Sequence, residues 1–118
     1  RPEMIAPQGQ ADWVAAIVHT DGGITLARVR DDGQLVTEAV PLKDTATRAQ
    51  LWLVPADGTP RSLGLLARDG RSVVAISQAM DALLSPNAQL LITLEPAEGS
   101  PTGRPTGPEV GSGSLRRI

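Results

Sequence analysis

Turn-forming residues recur along this chain at intervals too short to leave room for long helices. Asp21-Gly22-Gly23, Asp31-Asp32-Gly33, Asp57-Gly58-Thr59-Pro60, Asp69-Gly70 and Ser85-Pro86-Asn87 each join glycine or proline to a short polar side chain that bonds its own backbone. The segments between them have the length and patterning of strands. Residues 13–18 form a short apolar run, and in 24–29 Ile24, Leu26 and Arg28 alternate with Thr25, Ala27 and Val29. A third strand is predicted over 35–40, where Pro41 stops it because proline cannot donate to a ladder. The run Gln50-Leu51-Trp52-Leu53-Val54 is the most apolar in the chain, and Pro55 closes it. Further strands are predicted over 62–66, where Gly64 marks a bulge or a close backbone approach, and over 72–76. Another is predicted over 89–95, with Leu90, Ile92 and Leu94 on one face. The polar residues 43–49 have room for one helical turn, and 78–84 break the alternation with good helix formers behind Ser77, an N-cap residue.

Seven strands at this spacing point to an antiparallel β-sandwich or barrel, and the fold is read as all-β: an antiparallel β-sandwich of about seven strands, with one short helix and an extended Pro/Gly/Thr-rich C-terminal segment. The helical stretch is too short to cover a parallel sheet. A chain of 118 residues fits one domain and buries roughly two thirds of its unfolded surface. Two tryptophans are its only aromatics, so the core must be built from Leu, Val, Ile and Ala. The polar opening, with Pro2, Pro7 and Gly9, reads as a linker over 1–11; the domain runs over 12–110, and the Gly/Ser-rich end, 111–118, reads as a flexible tail.

The same inventory excludes several functions. Without cysteine there is no disulfide, thiolate metal site or thiol nucleophile. A net charge of −2 and the scarcity of aromatics leave neither phosphate attraction nor a stacking platform, so no nucleic-acid partner is expected. No apolar run approaches the ~20 residues that span a bilayer. The opening Arg1-Pro2-Glu3-Met4 has neither an initiating Met nor a signal-peptide pattern, so the chain is expected to be cut from something longer. His19 is the sole histidine; it ends a strand beside Thr20 and Asp21 with no G-x-S-x-G context, and reads as structural. One imidazole and scattered acids do not make a metal site, and Gly22-Gly23 lacks the residues of a phosphate loop. Asp31-Asp32 reads as a solvated hairpin tip, since adjacent side chains point apart. No catalytic, cofactor-binding or metal-ligating residue is assigned, and an enzyme is not expected. Trp52 is read as core in preference to a partner anchor.

The least ordinary segment is 95–108. Within it Ser100-Pro101-Thr102-Gly103 and Pro105-Thr106-Gly107-Pro108 nearly repeat a Pro-Thr-Gly unit. Proline restricts φ and glycine permits positive φ, so the unit dictates a backbone path that a Gly-Ser spacer does not.

These residues also carry a resemblance. Gln50-Leu51-Trp52-Leu53-Val54-Pro55, then Ser62-Leu63-Gly64-Leu65-Leu66, then Leu94-Glu95-Pro96 ahead of Gly99-Ser100-Pro101-Thr102-Gly103 and Pro105-Thr106-Gly107-Pro108 resemble, in order and spacing, the C-terminal domain of anti-sigma-K factors, the RskA-like group. The resemblance covers about 12–110; Glu98 stands where that family has glycine, and 111–118 has no counterpart. It implies a membrane-spanning bacterial regulator. Its N-terminal cytoplasmic region would sequester an extracytoplasmic-function sigma factor, one helix would cross the inner membrane, and this domain would lie in the periplasm. Residues 1–11 would then be the juxtamembrane linker, and a site-1-type protease acting near them would begin the stepwise proteolysis that frees the sigma factor. The reading is a non-enzymatic sensor domain without cofactors. The alternative is a free-standing periplasmic β-sandwich module that binds a ligand or an envelope protein by a sheet edge or the Pro-Thr-Gly segment.

Overall fold

A computed structural model of the chain describes residues 11–30, 32–38, 46–68, 70–86 and 88–117. In chain order the elements are β1 (Ala11–His19), β2 (Ile24–Arg30), β3 (Gln34–Glu38), β4 (Thr47–Val54), β5 (Arg61–Leu65), β6 (Arg71–Ala75), α1 (Gln78–Asp81), β7 (Gln89–Pro96) and β8 (Glu109–Arg117). All eight strands join one antiparallel sheet in the order β5-β4-β7-β8-β1-β2-β3-β6. β5 and β6 are consecutive in sequence yet occupy opposite edges, so the short link between Leu65 and Arg71 draws the two edges together. Ala67 N donates to Ser72 Oγ at 2.7 Å across that seam. The all-β class therefore holds, but the architecture is a single sheet curled into a nearly closed barrel of eight strands where a sandwich of about seven was expected. A curled sheet needs local bends. One is the bulge predicted at Gly64, whose φ of +121° accompanies a register shift between Leu51 and Trp52.

Alternation sends Ala15 and Ile17 of β1, Val29 of β2, Leu35 of β3, Leu51 and Leu53 of β4, Leu90 and Ile92 of β7 and Leu115 of β8 into the interior, each at most 1% exposed. Burial of each larger side chain stabilises the fold by about 1.5–3 kcal/mol. One end of the interior is covered by the α1 region, where Met80, Leu83 and Leu84 pack against the core. Ser77 caps α1 as expected, its Oγ accepting from Met80 N at 3.2 Å. The helix is shorter than the predicted 78–84, because Leu83 N and Leu84 N bond three residues back, to Met80 and Asp81, and tighten the last turn.

The largest departure from expectation lies at the C-terminal end. Residues 111–117, expected as a flexible tail, belong to β8, which lies in the middle of the sheet between β7 and β1. Gly-Ser-Gly-Ser is a poor strand former on its own, and close approach to β1 explains the choice. A Cβ on Gly113 would sit 2.2 Å from Ala16 O, and one on Gly111 would sit 2.9 Å from Val18 O. Of the helical turn allowed over 43–49, residues 43–45 lie outside the described residues and Thr47 already begins β4. The 1–10 part of the linker, Asp31, the predicted end of the third strand at Val40 and Pro41, Asp69, Asn87 and Ile118 lie outside the described residues.

Candidate functional site

Because Leu51, Leu53, Leu90 and Ile92 point inward, their neighbours Gln50 and Trp52 on β4 and Thr93 and Glu95 on β7 must point outward. Such positions ordinarily meet water. Here Trp52, Glu95, Thr93 and Gln50 are all buried. Trp52 is thus buried as expected, but on the outer face of the sheet and apart from the cluster that fills the barrel. Residues 97–108 leave β7 after Pro96 and cross this face before entering β8, bonded at one side to Gln50 and at the other to Glu95.

The contacts form two sets of hydrogen bonds on this face, one around Gln50 and one around Glu95. Ser100 N donates to Gln50 Oε1 at 2.8 Å, and Gln50 Nε2 donates to Ser62 Oγ at 2.6 Å. Trp52 Nε1 donates to Thr93 Oγ1 at 2.8 Å, and that hydroxyl donates to Glu95 Oε2 at 2.6 Å. Glu95 then receives the returning segment: Thr106 N at 3.0 Å and Gly107 N at 3.1 Å reach Oε2, while the Thr106 hydroxyl reaches Oε1. Gly107 is required at this point, because a Cβ there would lie 1.6 Å from Leu94 O. The Pro-Thr-Gly units divide the labour. In the first, the Ser100 hydroxyl donates to Arg104 O and closes an exposed turn; the second docks on the carboxylate.

Glu95 is 1% exposed, and no ion pair to it is formed among the described residues. Burial works against its charge. The donors Thr106, Thr93 and Gly107 outweigh that penalty and hold the carboxyl below its ordinary range. A buried carboxylate whose oxygens are filled by donors of its own chain is a clamp.

Out of the motif residues, the structure gathers Ser62 and Ser100 around Gln50, and Trp52, Thr106 and Gly107 around Glu95, directly or through Thr93. Leu51, Leu53 and Leu63 serve the interior, Gly64 forms the bulge, and Pro55 O accepts from Gly58 N at 2.8 Å in the β4–β5 turn. Pro96 O accepts from Gly99 N at 2.7 Å, and Pro101, Thr102 and Gly103 form the exposed tip, with Pro105 and Pro108 flanking the docked Thr106-Gly107 pair. Thr93 was missed by sequence reasoning. Its signal was a hydroxyl two residues before Glu95, hence on the same face of the strand. Elsewhere His19 Nε2 lies 2.5 Å from Thr25 Oγ1, and Asp32 Oδ1 accepts from Gln34 N at 3.1 Å, both local structural bonds. Among the described residues no three acidic or imidazole groups converge in a way that would hold a metal.

Comparison with curated proteins and with solved structures finds no match to this chain. Comparison with protein families finds one: residues 2–109 match the family described as anti-sigma-K factor rskA, C-terminal.

Proposed function

The chain belongs to the C-terminal family of anti-sigma-K factors, and from that premise we propose that it is the periplasmic regulatory domain of a membrane-anchored anti-sigma factor. In this reading a region N-terminal to the domain holds an extracytoplasmic-function sigma factor, and a helix before it crosses the inner membrane. A site-1-type protease cuts near residues 1–11 to start release. Among the described residues no helix is long and apolar enough to cross a membrane, so that helix would lie elsewhere in the protein. The domain acts without turnover, by staying folded.

The position of β1 carries the mechanism. This first strand is bonded on both sides, to β2 through Val18–Ile24 and their neighbours and to β8 through Ala15–Leu115 and Val18–Ser112. A protease needs an extended stretch of chain, and one reaching into β1 becomes free only when two ladders break together. Opening therefore costs nearly the whole stability of the barrel, whereas an edge strand would fray cheaply. Substituting Leu53 or Ile92, each fully buried, by alanine removes about 2–5 kcal/mol. Sigma-dependent transcription in cells carrying these variants in the full-length protein should rise. Unchanged transcription at a measured loss of stability would overturn the reading.

A further inference from the structure

The outer surface of the barrel has two halves of different fate. Over β4 and β7 it is covered by the chain's own 97–108 segment. Over β1, β2, β3 and β6 it carries aliphatic side chains in register and no such cover among the described residues. Val18 stands opposite Ile24, Ala16 opposite Leu26, and Val36 opposite Val73. Ile24 is 65% exposed, Val73 57%, Val18 54% and Leu26 47%. Single exposed aliphatics are ordinary, but aliphatics recurring on the outer face of four adjoining strands, with Arg28 set opposite Val36 among them, are not.

The patch has a charged border. A groove of about 300 Å³ is lined by Ile24, Leu26 and Val36 together with Arg28, Arg30 and Arg71, and by a single carboxylate, Glu38. Arg116 lines a second groove on the other side of Leu26. Neither Arg28, Arg30 nor Arg116 is paired with a carboxylate among the described residues, and Arg30 Nε is buried with no acceptor. Only Arg71 has a partner, Glu38 at 3.7 Å, in an exposed pair that contributes little. The chain as a whole carries a net charge of −2, so this concentration of cations runs against the overall balance. Every one of them is arginine, whose planar fork matches a carboxylate in a way an ammonium does not.

We propose that the outer face of β1, β2, β3 and β6 is a docking surface for a partner protein, which presents a segment of aliphatic side chains flanked by aspartate or glutamate. The aliphatics lie on Leu26 and its neighbours, and the acids meet Arg28, Arg30 and Arg116. A second copy of this chain fits poorly, because it would set arginines against arginines. A bilayer fits poorly as well: its interface favours tryptophan and tyrosine anchors, and both tryptophans are buried elsewhere, Trp13 in the barrel and Trp52 on the far half. The surface does not depend on the sigma-factor reading, because it follows from this chain's own residues.

The test is panning of random peptides displayed on phage against the purified domain, followed by binding measurements with the enriched peptides made synthetically. The expected result is enrichment of Leu, Ile or Val beside Asp or Glu. Affinity should fall about tenfold or more for Leu26→Asp and for Arg28→Glu, with Val73→Asp as an independent variant. All three sites are on the surface, and an unchanged denaturation midpoint confirms that the fold is intact. Four outcomes overturn the proposal: no enrichment; enriched peptides without acids, or that bind the variants equally; a dimer by light scattering that Leu26→Asp dissociates; and flotation with phosphatidylglycerol vesicles that the same substitution abolishes. The third would assign the face to self-association and the fourth to a lipid surface. None of these readouts involves transcription, so they stand or fall apart from the regulatory role.

Discussion

Removing the charge of Glu95 tests the clamp without removing its shape. In Glu95→Gln the amide oxygen can take the place of Oε2 and still accept from Thr106 N, Gly107 N and the Thr93 hydroxyl. The amide nitrogen then faces the Thr106 hydroxyl, which can turn and accept from it. What is lost is charge assistance. Hydrogen bonds to an ionised group contribute about 1.5–3 kcal/mol each against about 0.5–1.5 for neutral ones, and the glutamine recovers part of that difference by avoiding the cost of burying a charge. A net loss of about 1–3 kcal/mol follows. Glu95→Ala is harsher, since it takes an acceptor from the buried Thr93 hydroxyl at about 1–3 kcal/mol, removes the bonds to the part-buried Thr106 and Gly107 N–H groups and leaves a void, so its loss should exceed that of Glu95→Gln. With a urea m-value of about 1.5 kcal/mol/M, the glutamine variant should lower the midpoint by about 1–2 M, read by tryptophan fluorescence. The pH dependence gives a second, independent reading. The folded carboxyl titrates below its ordinary value of 4.5, so its contribution is fully present above that pH and is lost as the solution is acidified through the folded pKa. The stability gap between the parent protein and the Glu95→Gln variant should be constant from about pH 7 to 5 and should close below about 4.5. A gap of the same size at pH 3, or no loss of midpoint at pH 7, refutes the clamp.

Other substitutions probe the remaining joints of the fold. Gly107→Ala places a methyl against Leu94 O and should cost at least about 2 kcal/mol in urea melts, far above the ~1 kcal/mol of a typical substitution. Deleting 109–118 removes the strand between β7 and β1, and circular dichroism should show loss of the cooperative thermal transition rather than a lowered midpoint. Endoproteinase Glu-C should cut Glu95→Ala after the exposed Glu98 faster than it cuts the parent protein, since the 97–108 segment is held by the carboxylate it docks on. Leu26→Asp should leave the stability within about 0.5 kcal/mol of the parent in the same melts, as befits a surface site.

Most strands were legible because their turns are. Asp-Gly pairs and prolines bound them, and inward positions such as Leu51, Leu53, Leu90 and Ile92 obey simple alternation. Ser77 and Gly64 were legible for the same reason, each having one local job that few other residues perform. β8 was not, because its sequence answers to β1 rather than to strand propensity: glycine at 111 and 113 is dictated by the backbone of Ala16 and Val18, which no local reading reveals. The choice of barrel over sandwich was equally hidden, since it depends on the edges β5 and β6 meeting through a short link. The site was half legible. Pro-Thr-Gly units announced a defined path, and Glu95 stood within the motif. That Trp52 and Glu95 share the outer face, and that the path crosses them, required the register of β4 against β7.

Native-state amide exchange of β8 most directly tests the claim that the C-terminal segment is integral to the barrel and that its opening is global. The N–H of Leu115, bonded to Ala88 O at 3.0 Å, should exchange with the same free energy and the same denaturant dependence as the amides of β1 and β7. Exchange of that amide at near the unfolded rate, while β1 and β2 stay protected, would contradict the account.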